Sequence, residues 1–357
     1  MLLSVAMFFS VGADGKSSML MGMHKVKLLS ATSLIGAMSG LFIGVPLYYF
    51  FGEKGIVPAM TLLFICTYSF YSYGLRKALP RNREERFSLR RHKPWVKRML
   101  AAGMVLLASS MINALFTYGI NIFIRISGNM DDVGLFNAAN GVTLQYTGMV
   151  FTAMAMDYFP RLTAVINEPG EMRRTVCRQM EIVALIATPL VIFLVASAPL
   201  VIRLLLTQEF LATTPLMRWL GLSILLKAIA YPLGYIAFAK DNKRLFFLLE
   251  GVVCNFLYLL LSLVFYYFFG LMGLGYAAVA EQGACIAIYL AVNFREYGFR
   301  PDRNAWTETA VAVALGTAAF CASIATEGPL TWYLLAAVFT VSAARSLLTL
   351  RKRIRTA

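Results

Sequence analysis

Apolar runs of about 20 residues recur along this chain at short intervals, and that repetition limits its fold more than any other feature. A run of that length suits a helix crossing a bilayer, where every backbone N–H and C=O must be paired within the segment. Ten segments qualify: 28–51, 55–75, 99–124, 134–156, 180–206, 216–238, 246–269, 273–292, 307–325 and 331–349. Residues 1–23 read as a partial eleventh, because Asp14 and Lys16 interrupt them. They carry no basic leader and no small-residue cleavage site, so they are not read as a signal peptide. With charges at its middle, this stretch is a poor lipid-facing helix and a better wall for a wet cavity. Composition agrees: 59% of residues are hydrophobic and 14% charged, against about 25% charged in soluble domains. Mean hydropathy is +0.69.

The placement of charge orients the bundle. Of the 33 Lys and Arg residues, 27 fall in alternate connections: Lys25 and Lys27, the run 76–98, 161–178, 240–244, 295–303, and the tail from Arg345. The opposite connections hold Lys54, with Arg125 and Arg203 at helix ends facing that side. The positive-inside rule then puts 76–98 and the C-terminus in the cytoplasm. The net charge of +15 is a topology signal and not a nucleic-acid-binding one. Connections such as 52–54 are too short to fold as an extramembrane domain.

Catalytic signatures are missing. The sequence has no G-x-S-x-G, no P-loop, no H-E-x-x-H and no zinc-ligand spacing, so the chain is read as a non-enzyme without metal or other cofactor. Five cysteines lack C-x-x-C spacing and read as structural thiols. His24 and His92 lie among basic loop residues and read as solvated. What remains are ionisable groups in or beside the spans, which are costly there and mark candidate sites. Lys227 falls at mid-span and must face a cavity or a partner carboxylate. Glu281, also near mid-span, either pairs with Lys227 or serves as a coupling carboxylate. Glu250 lies near a cytoplasmic helix end, where an interfacial role is the plainer reading. Arg125 and Arg203 suit bidentate contact with phosphate oxygens or interfacial snorkelling. Span 134–156 is polar along its length, with Asn137, Asn140, Thr143, Gln145, Tyr146 and Thr147, and its amides and hydroxyls fit sugar hydroxyls or helix–helix hydrogen bonds. Pro46, Pro189, Pro199 and Pro232 interrupt their spans, as in transporters that change shape.

One stretch is specific. Residues 131–165, DDVGLFNAANGVTLQYTGMVFTAMAMDYFPRLTAV, resemble a span and cytoplasmic exit of Wzx-type O-antigen and polysaccharide flippases. These belong to the multidrug/oligosaccharidyl-lipid/polysaccharide exporter superfamily. The entry reads Gly134-Leu135-Phe136-Asn137-Ala138 and the exit Ala153-Met154-Ala155-Met156-Asp157-Tyr158-Phe159-Pro160-Arg161-Leu162. Residues 46–58, and the Pro189…Pro199 helix ending near Gln208-Glu209-Phe210, are similar to the same family. The resemblance implies an all-α bundle of two six-helix lobes with two added C-terminal helices. On this sequence that means an incomplete front lobe at 1–75, a basic linker at 76–98, a six-helix lobe at 99–292 and the extra pair at 307–349. About three spans of the front lobe are expected to be missing.

The implied task is flipping an undecaprenyl-diphosphate-linked oligosaccharide from the inner to the outer leaflet, for O-antigen, lipopolysaccharide or other surface polysaccharide. The setting would be a bacterial inner membrane, with polysaccharide polymerase machinery as a further partner. Arg125, Arg203 and Lys227 would hold the diphosphate, and Asp157, Pro160 and Arg161 would form a gate or clamp. A multidrug or cation antiporter of the same superfamily, and a non-transporting remnant, are the alternatives.

Overall fold

The computed structural model describes residues 2–23, 25–79, 89–325 and 329–355. His24 and residues 80–88 of the basic run 76–98 lie outside them, and so does the side chain of His92. The described residues are helical, with short connections, and they divide into two compact units, Met1–His92 and Lys93–Ala357. The division falls inside the basic run 76–98.

The first unit holds α1 (Leu2–Gly22), α2 (Val26–Phe51) and α3 (Ile56–Ala78). Both α1 and α2 pack on α3. The expected partial span is in fact an unbroken 21-residue helix. Its mid-helix charge is accommodated locally: the Lys16 ammonium donates to the Ser72 hydroxyl and lies 3.3 Å from the centre of the Tyr68 ring. A cation over an aromatic face gains most where water is scarce, so α3 supplies the polar partner that α1 needs. The outer faces are apolar and bare. Phe42, Tyr49 and Phe50 are each more than 70% exposed, a surface that suits lipid and not water.

The second unit runs α4 (Leu89–Ser127), α5 (Met130–Val165), α6 (Pro169–Leu205), α7 (Thr214–Ala239), α8 (Lys243–Phe246), a π-helical turn (Phe247–Val253), α9 (Cys254–Phe269), α10 (Leu271–Tyr297), α11 (Arg303–Ala325) and α12 (Pro329–Arg355). Eight of the ten expected spans fall within one of these continuous helical stretches or within α2, and spans 55–75 and 180–206 overrun α3 and α6 by one residue each. Elsewhere the helices overrun the spans because hydrogen bonding continues past the apolar run. Among the described residues, eight segments are long and apolar enough to cross a membrane by length and composition, one of them, Lys27–Ala78, holding both α2 and α3. The chain is therefore a multi-span membrane protein. α5 is not among the eight; it carries Asp131, Asp132, Asn137, Asn140 and Asp157.

Helix α7 is the axis of this unit. It packs against α5, α6, α10 and α11, and Leu216, Leu225, Ala228 and Ile236 on it are fully buried. Pro232 interrupts α7, and two neighbours hold the backbone there. The Tyr158 hydroxyl donates to the Pro232 carbonyl at 2.9 Å, and the Asn293 amide to the Leu233 carbonyl at 3.0 Å. Both bonds tie α7 to its neighbours beside the proline. α11 and α12 pack on α6 and are tied together by Arg345 and Glu308 at 2.7 Å. A single glycine, Gly270 with φ +59°, joins α9 to α10. A left-handed position of this kind suits glycine, which has no Cβ to clash, and it folds the two helices into an antiparallel hairpin.

Candidate functional site

A cavity of about 460 Å³ opens within the second unit, walled by α4, α5, α7, α9 and α10. Its lining mixes apolar side chains with amides, hydroxyls, two carboxylates and one ammonium. Lys227 is an exposed side chain on an otherwise buried stretch of α7, and it projects into this space. The mid-span depth read from sequence thus coincides with a cavity, as an unpaired ammonium requires.

Glu281 enters from α10. It is 6% exposed, accepts from the Gln282 amide at 2.7 Å and from the Cys285 thiol at 3.1 Å. Among the described residues Lys227 makes no ion pair with it within 4.0 Å. The two are still close enough for their charges to attract, and Glu250 is close enough to repel. Glu250 is not the interfacial residue its position implied. It sits in the π-helical turn and lines the cavity. Gly234 of α7 makes this fit: a Cβ there would lie 2.7 Å from the Glu250 carboxylate. The extra residue of the π turn redirects the helix face, and such turns are frequent at functional sites. Asn255 steadies it by donating to the Glu250 and Gly251 carbonyls at 2.8 and 3.0 Å, while its own carbonyl oxygen accepts from Asn113 of α4 at 2.7 Å.

The other expected site residues divide. Asn140 lines the cavity beside Phe136, Thr143 and Leu144. Asn137 does not; it faces α4, its amide donating to Asn121 at 3.4 Å. Gln145 belongs to α5, and its side chain lies outside the described residues. Arg125 and Arg203 are exposed at helix ends and do not line the cavity. Depth alone drew attention to them, and depth says nothing about which way a helix face points. Asp157 and Arg161 form an exposed i,i+4 ion pair with Pro160 exposed between them. Tyr158, passed over in the same motif, is the buried member that reaches α7.

Sequence reasoning also missed an internal repeat. Glu250-x3-Cys254-x3-Tyr258 and Glu281-x3-Cys285-x3-Tyr289 have the same order and spacing, and all six residues line the cavity. Spacing of four keeps each triplet on one helix face. The hairpin about Gly270 runs them in opposite directions, so the triplets meet rung on rung. Glu250 and Tyr289 both lie over Gly234, the Cys254 and Cys285 sulfurs are 2.7 Å apart, and Tyr258 is within electrostatic reach of Glu281. Each residue type was visible, but the pairing depends on the hairpin register.

A family model described as "Polysaccharide biosynthesis protein" matches residues 2–215, more than half of the chain and including the motif at 131–165. Among solved structures, "Lipid II flippase MurJ, inward closed conformation" is similar in fold, with a TM-score of 0.63 at 12% sequence identity. That likeness covers 99% of this chain and 74% of the flippase. No curated protein matches. The bundle shares the fold of that flippase. The match over residues 2–215, which takes in the exit motif, shows that the chain belongs to the polysaccharide biosynthesis protein family.

Proposed function

We propose that this chain flips a polyprenyl-diphosphate-linked oligosaccharide, of the undecaprenyl class, from the cytoplasmic to the outer leaflet of a bacterial inner membrane. The carrying observation is Lys227, an exposed ammonium facing a cavity whose lining, beside apolar side chains and the Glu250 and Glu281 carboxylates, includes amides and hydroxyls such as Asn113, Asn140, Asn255 and Tyr231. A cation in such a cavity attracts the diphosphate, and amides and hydroxyls suit sugar hydroxyls. The product would feed O-antigen, lipopolysaccharide or another surface polysaccharide, in contact with a polymerase. Basic connections, including the run 76–98 and the tail, face the cytoplasm in this reading, and the halves at 1–75 and 99–292 move against each other with 307–349 as an added pair. Arg125, Arg203, Asn137 and Gln145 act at the edges of the path, and Asp157, Pro160 and Arg161 at the cytoplasmic exit.

The test is flipping of a fluorescent polyprenyl-diphosphate glycan in proteoliposomes. Lys227→Ala is expected to cut the rate by about tenfold, the loss of one charge-assisted contact of roughly 1.5 kcal/mol, and Lys227→Arg to restore most of it. Full activity of Lys227→Ala would remove that residue from the substrate path. A cation antiporter is the second reading, favoured by two carboxylates, Glu250 and Glu281, facing the same cavity as a single base. It expects Glu281→Gln to abolish proton-driven efflux of a lipophilic cation while the wild type flips no glycan.

A further inference from the structure

Two thiols and a carboxylate meet in the wall of the cavity, and the flipping reaction uses none of them in this way. Cys254 is 7% exposed and Cys285 2% exposed, from α9 and α10 respectively. The Cys285 sulfur lies 2.7 Å from the Cys254 sulfur and 3.1 Å from a Glu281 oxygen. The Tyr289 hydroxyl is 3.3 Å from the Cys254 sulfur. Among the described residues, Cys254, Glu281 and Cys285 are the one group of three metal-capable side chains, with every ligand atom within 4.8 Å of the others.

We infer that Cys254, Cys285 and Glu281 form a site for one thiophilic divalent cation, with Zn²⁺ as the representative ion. The donor set is that of a borderline-soft metal: two thiolates at about 2.3 Å and a carboxylate at about 2.0–2.2 Å leave a tetrahedral ion one open position. The cavity supplies that position, for water or for the Tyr289 hydroxyl. Glu281 and Cys285, one turn apart on α10, chelate from one face, while Cys254 closes the site from α9. The hairpin sets this opposition: Cys254 lies sixteen residues before Gly270 and Cys285 fifteen after it. In a tetrahedral site the sulfurs stand about 3.8 Å apart, so the ion would enter by parting them by about 1 Å through side-chain rotation.

Charge is also provided for. Binding releases both thiol protons, and two thiolates with a carboxylate leave a bound Zn²⁺ site at net −1, which the nearby Lys227 ammonium offsets. Because protons leave, affinity falls as pH falls. An ion here ties α9 to α10 in the very wall that shapes the cavity.

The experiment uses the full chain in detergent, reduced and stripped of metal, with zinc chloride as the probe. One zinc per chain is expected by elemental analysis. Binding should persist when Cys66, Cys177 and Cys321 are replaced by serine, and weaken by about tenfold or more when Cys254→Ser or Cys285→Ser is added. Glu281→Gln should weaken it less. Cobalt chloride on the wild type, needing no variant, should give intense visible bands of a tetrahedral thiolate site. Zinc binding indifferent to Cys254 and Cys285, a disulfide between them that zinc does not prevent, or cobalt spectra of an oxygen-ligated octahedral ion would each overturn the assignment. None of these readouts involves transport, so the result is independent of the flipping reading.

Discussion

Three cations inside helices of this protein reach three different solutions. Lys16 is held by a hydroxyl and an aromatic face on the neighbouring helix. Arg218, near the start of α7, donates to the Ser323 carbonyl at 2.6 Å, so its charge is spent on the end of α11. Lys227, nine residues further along α7, has open space before it. Only the last is free to meet a ligand, which is why it carries the functional proposal. Neutral residues matter at this scale too. Tyr158 is fully buried and its hydroxyl meets the Pro232 carbonyl. Tyr158→Phe leaves that buried oxygen without this donor, at a cost of about 1–2 kcal/mol. The melting midpoint in detergent should fall by a few degrees; an unchanged midpoint would show that the bond contributes nothing. The functional pull of the exit motif would then rest on Asp157 and Arg161 alone.

At the scale of elements, the π turn before α9 and the glycine opposite it act as one device. Gly234→Ala should raise the intrinsic helix stability of α7 by up to about 1 kcal/mol, yet its Cβ would sit 2.7 Å from the Glu250 carboxylate. The expected outcome is a chain as stable as the parent, by melting, with a lowered flipping rate because the displaced Glu250 side chain alters the cavity that Lys227 faces. Equal rates would show that the cavity tolerates that displacement. Helices themselves were legible because an apolar run reports its own length; all ten expected spans lie in helices to within one residue. The site was legible only in part. Lys227, Glu281 and Asn140 were found because polar groups at mid-span stand out against apolar neighbours. Arg125 and Arg203 stand exposed at helix ends and Asn137 faces α4, so none of the three lines the cavity. Cys254, Asn255 and Tyr289 were missed because cysteine and tyrosine are unremarkable in a membrane span, and Asn255 acts through a π turn that no local residue preference marks. The paired Glu-Cys-Tyr triplets were readable as a repeat, but their meeting needed the single-residue turn at Gly270.

At the scale of the whole molecule, orientation is the property most open to a direct test. In a cysteine-free background, Asn167→Cys in the exposed α5–α6 turn should react with a membrane-impermeant maleimide only from the cytoplasmic side. Gln208→Cys, in the exposed connection between α6 and α7, should react only from the other. The reverse pattern would invert the topology inferred from the basic loops and reverse the proposed direction of flipping. One wall of the cavity has a consequence of its own. Most of helix α4 is apolar, yet none of its most apolar stretch is buried. It is anchored near its C-terminal end, where Ile120 and Ile124 are buried in the core. Otherwise it touches the bundle through single side chains, Asn113 on Asn255, Asn121 on Asn137, and Phe116 on Phe256 at 6.3 Å between ring centres. A partition held at such spaced points behaves as a hinged shutter more than as masonry. If the proposed flipping holds, a passenger with a soluble head and a greasy tail would need a doorway of this kind, wide enough for the head to step indoors while the tail stays out in the oil.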